Sequence, residues 1–312
     1  MTNKPPAKFD TLAFAALLGS GICFGAIFVL SKQASYPSSG GLEATQITLF
    51  RFLIATLSVP FLFKISRERF VGIRVGELLM RGLCGFLAAY LAAKSVTDPK
   101  HQLEVGVAAV LNSTAVIFAP AFAWLILSEP LTRRSWIAIF LAILGIVILE
   151  ERHIFVPQTL QVPWSELWAL VSGVLAGVVV VLIRDMRSGP NPEKPETIVL
   201  YYSIVATLGS ALLCVIAGKA AWHWPTLTGW LVLLLLGLAS FGAQWLMSFG
   251  LRLQDTLIGI LVLNLQSVVA AVIGSMLFGE TYTATVIAGS LIVMSVAIWL
   301  TSSGWAVRTK QS

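Results

Sequence analysis

Arg51 is a cation in an apolar stretch, residues 45–63, TQITLFRFLIATLSVPFLF. An Arg at the centre of a membrane helix costs about 2.5–3.5 kcal/mol, and each Leu, Ile, Phe or Val returns about 0.3–0.6. The neighbours Ile47, Leu49, Phe50, Phe52, Leu53, Ile54, Leu57 and Val59 offset that cost, so insertion needs no special cause. An intramembrane cation nonetheless faces a bundle interior or a wet cavity. Two roles are open to it: contact with an anionic cargo group such as a carboxylate, or a structural bond to backbone carbonyls or a nearby acid.

The uncharged polar residues at comparable depth are Asn112, Asn264, Gln266 and Gln244. Asn112 continues into the stripe Ala108, Val116, Ala119, Ala123, and Asn264 into Val268, Ala271, Ser275. Small residues beside an amide suit either close helix packing or a cavity wall. Of the mid-depth aromatics, Tyr90, Tyr202 and Trp245 are candidates to stack on a cargo with an apolar body. The candidate binding set is therefore Arg51, Tyr90, Asn112, Tyr202, Gln244, Trp245, Asn264 and Gln266. Arg81 is set aside: Glu77 precedes it in the favourable i,i+4 order, and its side chain can snorkel to the interface.

No Asp or Glu falls at the centre of an apolar stretch. Proton-driven carriers run protons through buried carboxylates, so the pattern favours a facilitator or exporter over a carboxylate-coupled antiporter. Glu129 and Glu280 each sit where a helix opens, Glu129 with Pro130 after it, and are expected to complement the helix dipole. His101, His153 and His223 are scattered at edges and loops, which argues against an enzyme site. Cys23, Cys84 and Cys214 lie in apolar stretches without metal-ligand spacing. No cofactor and no metal are expected.

The elements that must position these groups are membrane helices. Hydrophobic residues make up 57% of the 312-residue chain and charged residues 12%, against roughly 25% charged in soluble domains. Ten spans are read at about 11–31, 43–63, 75–95, 104–127, 131–149, 164–184, 197–217, 229–249, 256–278 and 281–301. No cleavable leader is expected ahead of the first. With the N-terminus inside, cytoplasmic segments hold fourteen Lys and Arg, against five opposite (Lys32, Lys94, Lys100, Arg152, Lys219). That bias places both termini in the cytoplasm. No Lys/Arg cluster marks a nucleic-acid face.

The chain also repeats itself. Gly21-x-x-x-Gly25 matches Gly173-x-x-x-Gly177, RFLIATLS (51–58) matches YSIVATLG (202–209), and Asn112 matches Asn264 with a one-residue slip. Glu129 and Glu280 stand 151 residues apart. Five spans is an odd number, so the second copy enters the bilayer upside down. The fold class is all-α: a polytopic membrane protein of ten transmembrane helices in two inverted five-helix repeats. The expected division is a tail at 1–10, repeats at 11–149 and 164–301, a linker at 150–163 and a tail at 302–312. Inverted repeats that meet at the midplane are the recurring architecture of secondary transporters.

Arg-Phe-Leu early in span 2, Pro120 inside span 4, Ser-Glu-Pro at 128–130 and the echo Gly279-Glu280 together resemble the EamA-type repeat of the drug/metabolite transporter superfamily. The resemblance covers residues 11–301 as two units. It implies an inner-membrane carrier of small metabolites, often an exporter of amino acids or related compounds. The second half departs from the pattern, with Tyr202 in place of the Arg and Val272 near where the Pro would repeat. A sugar-phosphate or nucleotide-sugar carrier would want several cavity cations, and a non-transporting sensor or scaffold is the other alternative. Expected partners are the lipid bilayer and a small-molecule substrate, with a homodimer allowed and nucleic acid excluded.

Overall fold

Inside hydrocarbon every backbone polar group must find a partner within its own segment, and helices meet that demand. The computed structural model describes residues 11–66, 71–100, 102–128, 131, 133–149, 164–187, 191–218, 222–253 and 264–302. Its helices are α1 (Thr11–Ser35), α2 (Ala44–Ser66), α3 (Val75–Thr97), α4 (Val105–Ser113), α5 (Ala115–Leu127), α6 (Arg133–Leu149), α7 (Trp164–Arg187), α8 (Pro195–Ala217), α9 (Leu227–Leu253), α10 (Leu265–Phe278) and α11 (Ala284–Ser302). Helices α4 and α5 are two parts of one span. Among the described residues, six apolar segments are long enough to cross a membrane and four are shorter, making ten.

The break between α4 and α5 has a local cause. Ser113 Oγ donates to Ala109 O at 2.8 Å and Thr114 Oγ1 donates to Leu111 O at 2.6 Å. Such side-chain bonds compete with the helical ladder. Pro120 lies inside the following helix and withholds one amide. The second half turns at the matching place: Asn264, with φ −66° and ψ −16°, precedes α10 much as Thr114, with φ −61° and ψ −14°, precedes α5. The residue matching Asn264 at the break is thus Thr114, two positions beyond Asn112.

The packing maps onto itself when the halves are exchanged. Helix α1 packs on α9 as α7 packs on α3, α1 on α10 as α7 on α4 and α5, and α2 on α9 as α8 on α3. Helices α2 and α8, α4 and α10, and α6 and α11 pair across the axis. Individual atoms repeat the exchange. Ser20 Oγ donates to Ala243 O at 2.9 Å, and Ser172 Oγ to Ala88 O at 2.8 Å. A methyl added to Gly82 would meet Val205 Cβ at 2.9 Å, and one added to Gly237 would meet Ile54 Cβ at 2.5 Å. Thr56 and Thr207, equivalents 151 residues apart, touch hydroxyl to hydroxyl at 2.9 Å, which puts them on the pseudo-twofold itself.

Glycines of the Gly-x-x-x-Gly pairs are where α1 approaches the start of α10 and α7 approaches the α4–α5 break. A Cβ at Gly173 would lie 2.5 Å from Leu111 O, and one at Gly25 would lie 2.8 Å from Gln266 O. Backbone cannot yield as a side-chain tip can, so these positions admit no side chain without a shift of the helices. Tryptophans near the span ends face outward, with Trp136, Trp164, Trp224 and Trp230 all exposed, as interfacial anchors do.

Candidate functional site

A cavity of about 160 Å³ lies at the seam, lined by the inward faces of α1, α2, α3, the α4–α5 break, α7, α8, α9 and the start of α10. Helices α6 and α11 take no part in it among the described residues. Of the candidate residues, the structure brings Arg51, Asn112, Tyr202, Gln244, Asn264 and Gln266 together on this wall. Tyr90 and Trp245 do not line it. Tyr90 packs beside Phe86 at 6.4 Å between ring centres, and Trp245 is 36% exposed, with Phe249 at 6.2 Å. Helical rotation explains both. Trp245 follows Gln244 by one residue, a turn of about 100° away from the face that Gln244 presents, and Tyr90 follows the lining Ala89 in the same way.

Arg81 is the residue that sequence reasoning set aside and the structure places at the centre. It is 1% exposed and lines the cavity. Its Nη2 donates to Gln244 Oε1 at 3.0 Å, and its guanidinium carbon lies 3.9 Å from the centre of the Tyr202 ring. Glu77 turns instead to Arg74, whose Nε donates to Glu77 Oε1 at 2.8 Å, and Arg74 also pairs with Asp185. Arg81 neither snorkels nor pairs with its own helix. Arg51, 5% exposed, has its guanidinium 5.0 Å from the Phe52 ring, and Phe52 meets Tyr202 edge-on at 5.2 Å. Gly85 makes room for this stack, since a methyl there would lie 2.8 Å from Tyr202 Cε2.

The amides fix the break points. Asn112 Nδ2 donates to Ser172 Oγ at 2.8 Å, and Gln266 Nε2 donates to Ser113 Oγ at 3.0 Å. Ser113 and Ser267 are also in hydroxyl contact at 2.9 Å. The stripe expected to continue from Asn264 does not hold one face, for Val268 is 44% exposed.

A second polar cluster ties α1, the start of α4 and the connection after α10. Lys32 Nζ lies 2.7 Å from Glu280 Oε1 and 3.2 Å from Leu103 O. The same carboxylate accepts from Val105 N at 3.1 Å and from Tyr282 Oη at 2.7 Å. Glu280 therefore complements a helix N-terminus, but that of α4 and not of the helix it precedes. Glu129 and Pro130 lie outside the described residues. Tyr282, in the connection, has its phenol pushed above the usual range by burial first and by its bond to Glu280 next.

A family model described as the EamA-like transporter family matches residues 11–150 and again 163–302. The chain belongs to that family. The EamA family is part of the drug/metabolite transporter superfamily. A relative described as an uncharacterized transporter, from Clostridium kluyveri, is 22% identical over 285 residues, covering 88% of this chain and 89% of that one. A crystal structure of a protein 17% identical in sequence shares the fold at a TM-score of 0.61, covering 91% of this chain and 94% of the other. In this EamA-family chain the cavity is built jointly by the two matched segments, with Arg51 and Arg81 from the first and Tyr202 and Gln244 from the second.

Proposed function

We propose that this transporter carries a small metabolite across the inner (plasma) membrane by alternating access between its two repeats, with both termini in the cytoplasm. One observation carries the reading: a cavity with an apolar wall and a few polar groups sits at the seam, between the break in α4–α5 and the start of α10, and receives side chains from both halves. Transporter sites are built in this way from discontinuous helices near the midplane. The glycine contacts bring α1 close against α10 and α7 close against the α4–α5 break, a close approach of each half on the other. Its described lining contains no Asp, Glu or His, which favours an exporter or facilitator over a carboxylate-coupled antiporter.

The test is flux. Proteoliposomes loaded with an isotopically labelled extract of small metabolites are expected to lose a defined subset of solutes faster than empty liposomes do. Imposing a pH gradient at fixed membrane potential is expected to leave that loss unchanged. A solute profile identical to that of empty liposomes would remove the transport reading. Strong pH-driven accumulation would remove the coupling part alone. Thiol labelling of single cysteines near residues 3 and 310 in intact cells is expected to find both ends protected from an impermeant reagent.

A further inference from the structure

Among the described residues the cavity is lined by two cations and by no anion to answer them. Arg51 stands seven residues into α2 and Arg81 six residues into α3. Consecutive spans run in opposite senses, so at 1.5 Å per residue the two enter from opposite faces, about 10 Å and about 9 Å from their helix starts. Both are at least nine-tenths buried and both line the one cavity. Arg81 Nε and Nη1 have no protein acceptor, and neither does Arg51 Nε. Buried donors are normally satisfied, so each exception asks for an explanation. Four of the described acids are committed elsewhere: Glu77 and Asp185 to Arg74, Glu280 to Lys32, and Glu193 to the backbone amides of Ile73 and Arg74. What Arg81 has is a neutral amide and the face of Tyr202, both of which hold a guanidinium in place without neutralising it.

We propose that Arg51 and Arg81 are the two poles of an anion site. The cargo is then a small organic anion, bearing a carboxylate or phosphate oxyanion, whose apolar body lies against Phe24, Phe28 and the alanines of α3. This deepens the transport reading and rests on it for the word cargo. The chemistry follows from the donors: guanidinium forks match planar oxyanions and form charge-assisted bonds to them. A zwitterion or an amine would bring an ammonium that the described lining has no carboxylate to receive. Both cations reach one aromatic stack, Arg81 over Tyr202 and Arg51 over Phe52, and present their charges to the same cavity. Tyr202 serves as a positioning residue, because its ring sets where Arg81 points.

The experiment uses purified full-length protein in detergent and four probes of similar size: succinate, glycerol phosphate, butyramide and butylamine. Tryptophan fluorescence during thermal unfolding reads binding, and counterflow in proteoliposomes reads flux. Succinate or glycerol phosphate is expected to raise the unfolding temperature, while the amide and the amine are not. Whichever of the two anions gives the larger shift identifies carboxylate or phosphate as the recognised oxyanion. Arg81→Gln is expected to weaken anion binding by roughly thirtyfold or more, as truncating one member of a buried charge pair does, and Arg81→Lys is expected to restore part of it. Arg51→Gln should behave likewise. Should the Gln variants fail to fold, phenylglyoxal modification of the wild type, followed residue by residue by mass spectrometry, is expected to be slowed at Arg51 and Arg81 by the anion. Equal shifts with butylamine or butyramide, or an Arg81→Gln variant that binds anions as the wild type does, would overturn the anion site. Anion binding without counterflow would refute transport and leave the site standing. Counterflow of only uncharged or cationic solutes, unchanged in the arginine variants, would do the reverse.

Discussion

Replacing Glu280 with Gln removes a charge that three groups use. Its carboxylate meets Lys32 Nζ at 2.7 Å, Tyr282 Oη at 2.7 Å and Val105 N at 3.1 Å, and a methyl on Gly274 would lie within 3.2 Å of its carboxyl carbon. The Lys32 and Glu280 side chains are only 7% and 5% exposed. Glutamine can still accept from Val105 N and donate to a carbonyl, so the hydrogen-bond count changes little. What changes is that Lys32 keeps only neutral contacts among the described residues, Leu103 O and the Phe278 ring, and becomes a buried cation without a counter-charge. Breaking a buried pair from one side costs about 3–5 kcal/mol, most of it the penalty on the charge left behind. Removing both charges, with Lys32→Met and Glu280→Gln together, is therefore expected to cost less than Glu280→Gln alone. Unfolding in mixed micelles as a function of dodecyl sulfate fraction gives the free energies for all four corners of the cycle. A loss under about 1 kcal/mol for Glu280→Gln, or a double variant whose loss equals the sum of the singles, would show that solvent already screens the pair and would refute the reasoning.

The Tyr282 phenol is held above its ordinary value by burial and then by Glu280, and Tyr36 is raised by burial and then by the same carboxylate. A raised folded value contributes stability that is complete below about pH 10, the unfolded tyrosine value, and is lost as pH rises through the folded one. Tyr282→Phe is expected to flatten the alkaline decline of the unfolding temperature, with Tyr36 supplying what slope remains. Gly173→Ala drives a methyl to 2.5 Å from Leu111 O and is expected to destabilise by about 1–3 kcal/mol. Gly76→Ala, in the first turn of α3 with nothing within 4 Å, is expected to stabilise by up to about 1 kcal/mol; thermal unfolding in detergent compares the two. Ser20→Ala should cost about 1 kcal/mol, the net worth of its bond to Ala243 O. Ser172→Ala should cost about 1–3 kcal/mol more, because the Asn112 amide then loses its acceptor.

Span number and several starts were legible because a hydrocarbon layer imposes a length on any apolar run: helices starting at Ala44, Val75, Val105 and Trp164 each begin within a residue of their expected positions, while α1 runs on to Ser35 and α9 to Leu253, four residues past the expected ends. Helix rotation was not legible. In a bundle wetted by lipid on one side and packed on the other, both sides are apolar, so nothing in the run around Gln244 and Trp245 says which of them turns inward. Arg81 was misread for a related reason. Glu77 one turn before it offered a sufficient partner within the sequence, whereas Gln244 and Tyr202 are 163 and 121 positions away and become neighbours only once the halves close. Glu280 shows the same limit: dipole complementarity was the right physics, but the helix it serves comes 175 positions earlier.

The contact between Thr56 and Thr207 has a consequence for what chemistry such a seam tolerates. A position on a twofold faces its own image, so it must satisfy itself. A carboxylate or a guanidinium confronting its twin repels, and two methyls are merely indifferent. A hydroxyl both gives and takes a proton, and so pairs with another hydroxyl without either having to differ. One and a half turns earlier on the same two helices the equivalents are Arg51 and Tyr202, and there the copies have had to become unlike: one brings the charge, and the other brings an aromatic ring to the stack around it. The axis can keep its twins identical only where the group is its own complement, and the cavity begins where that ceases to hold.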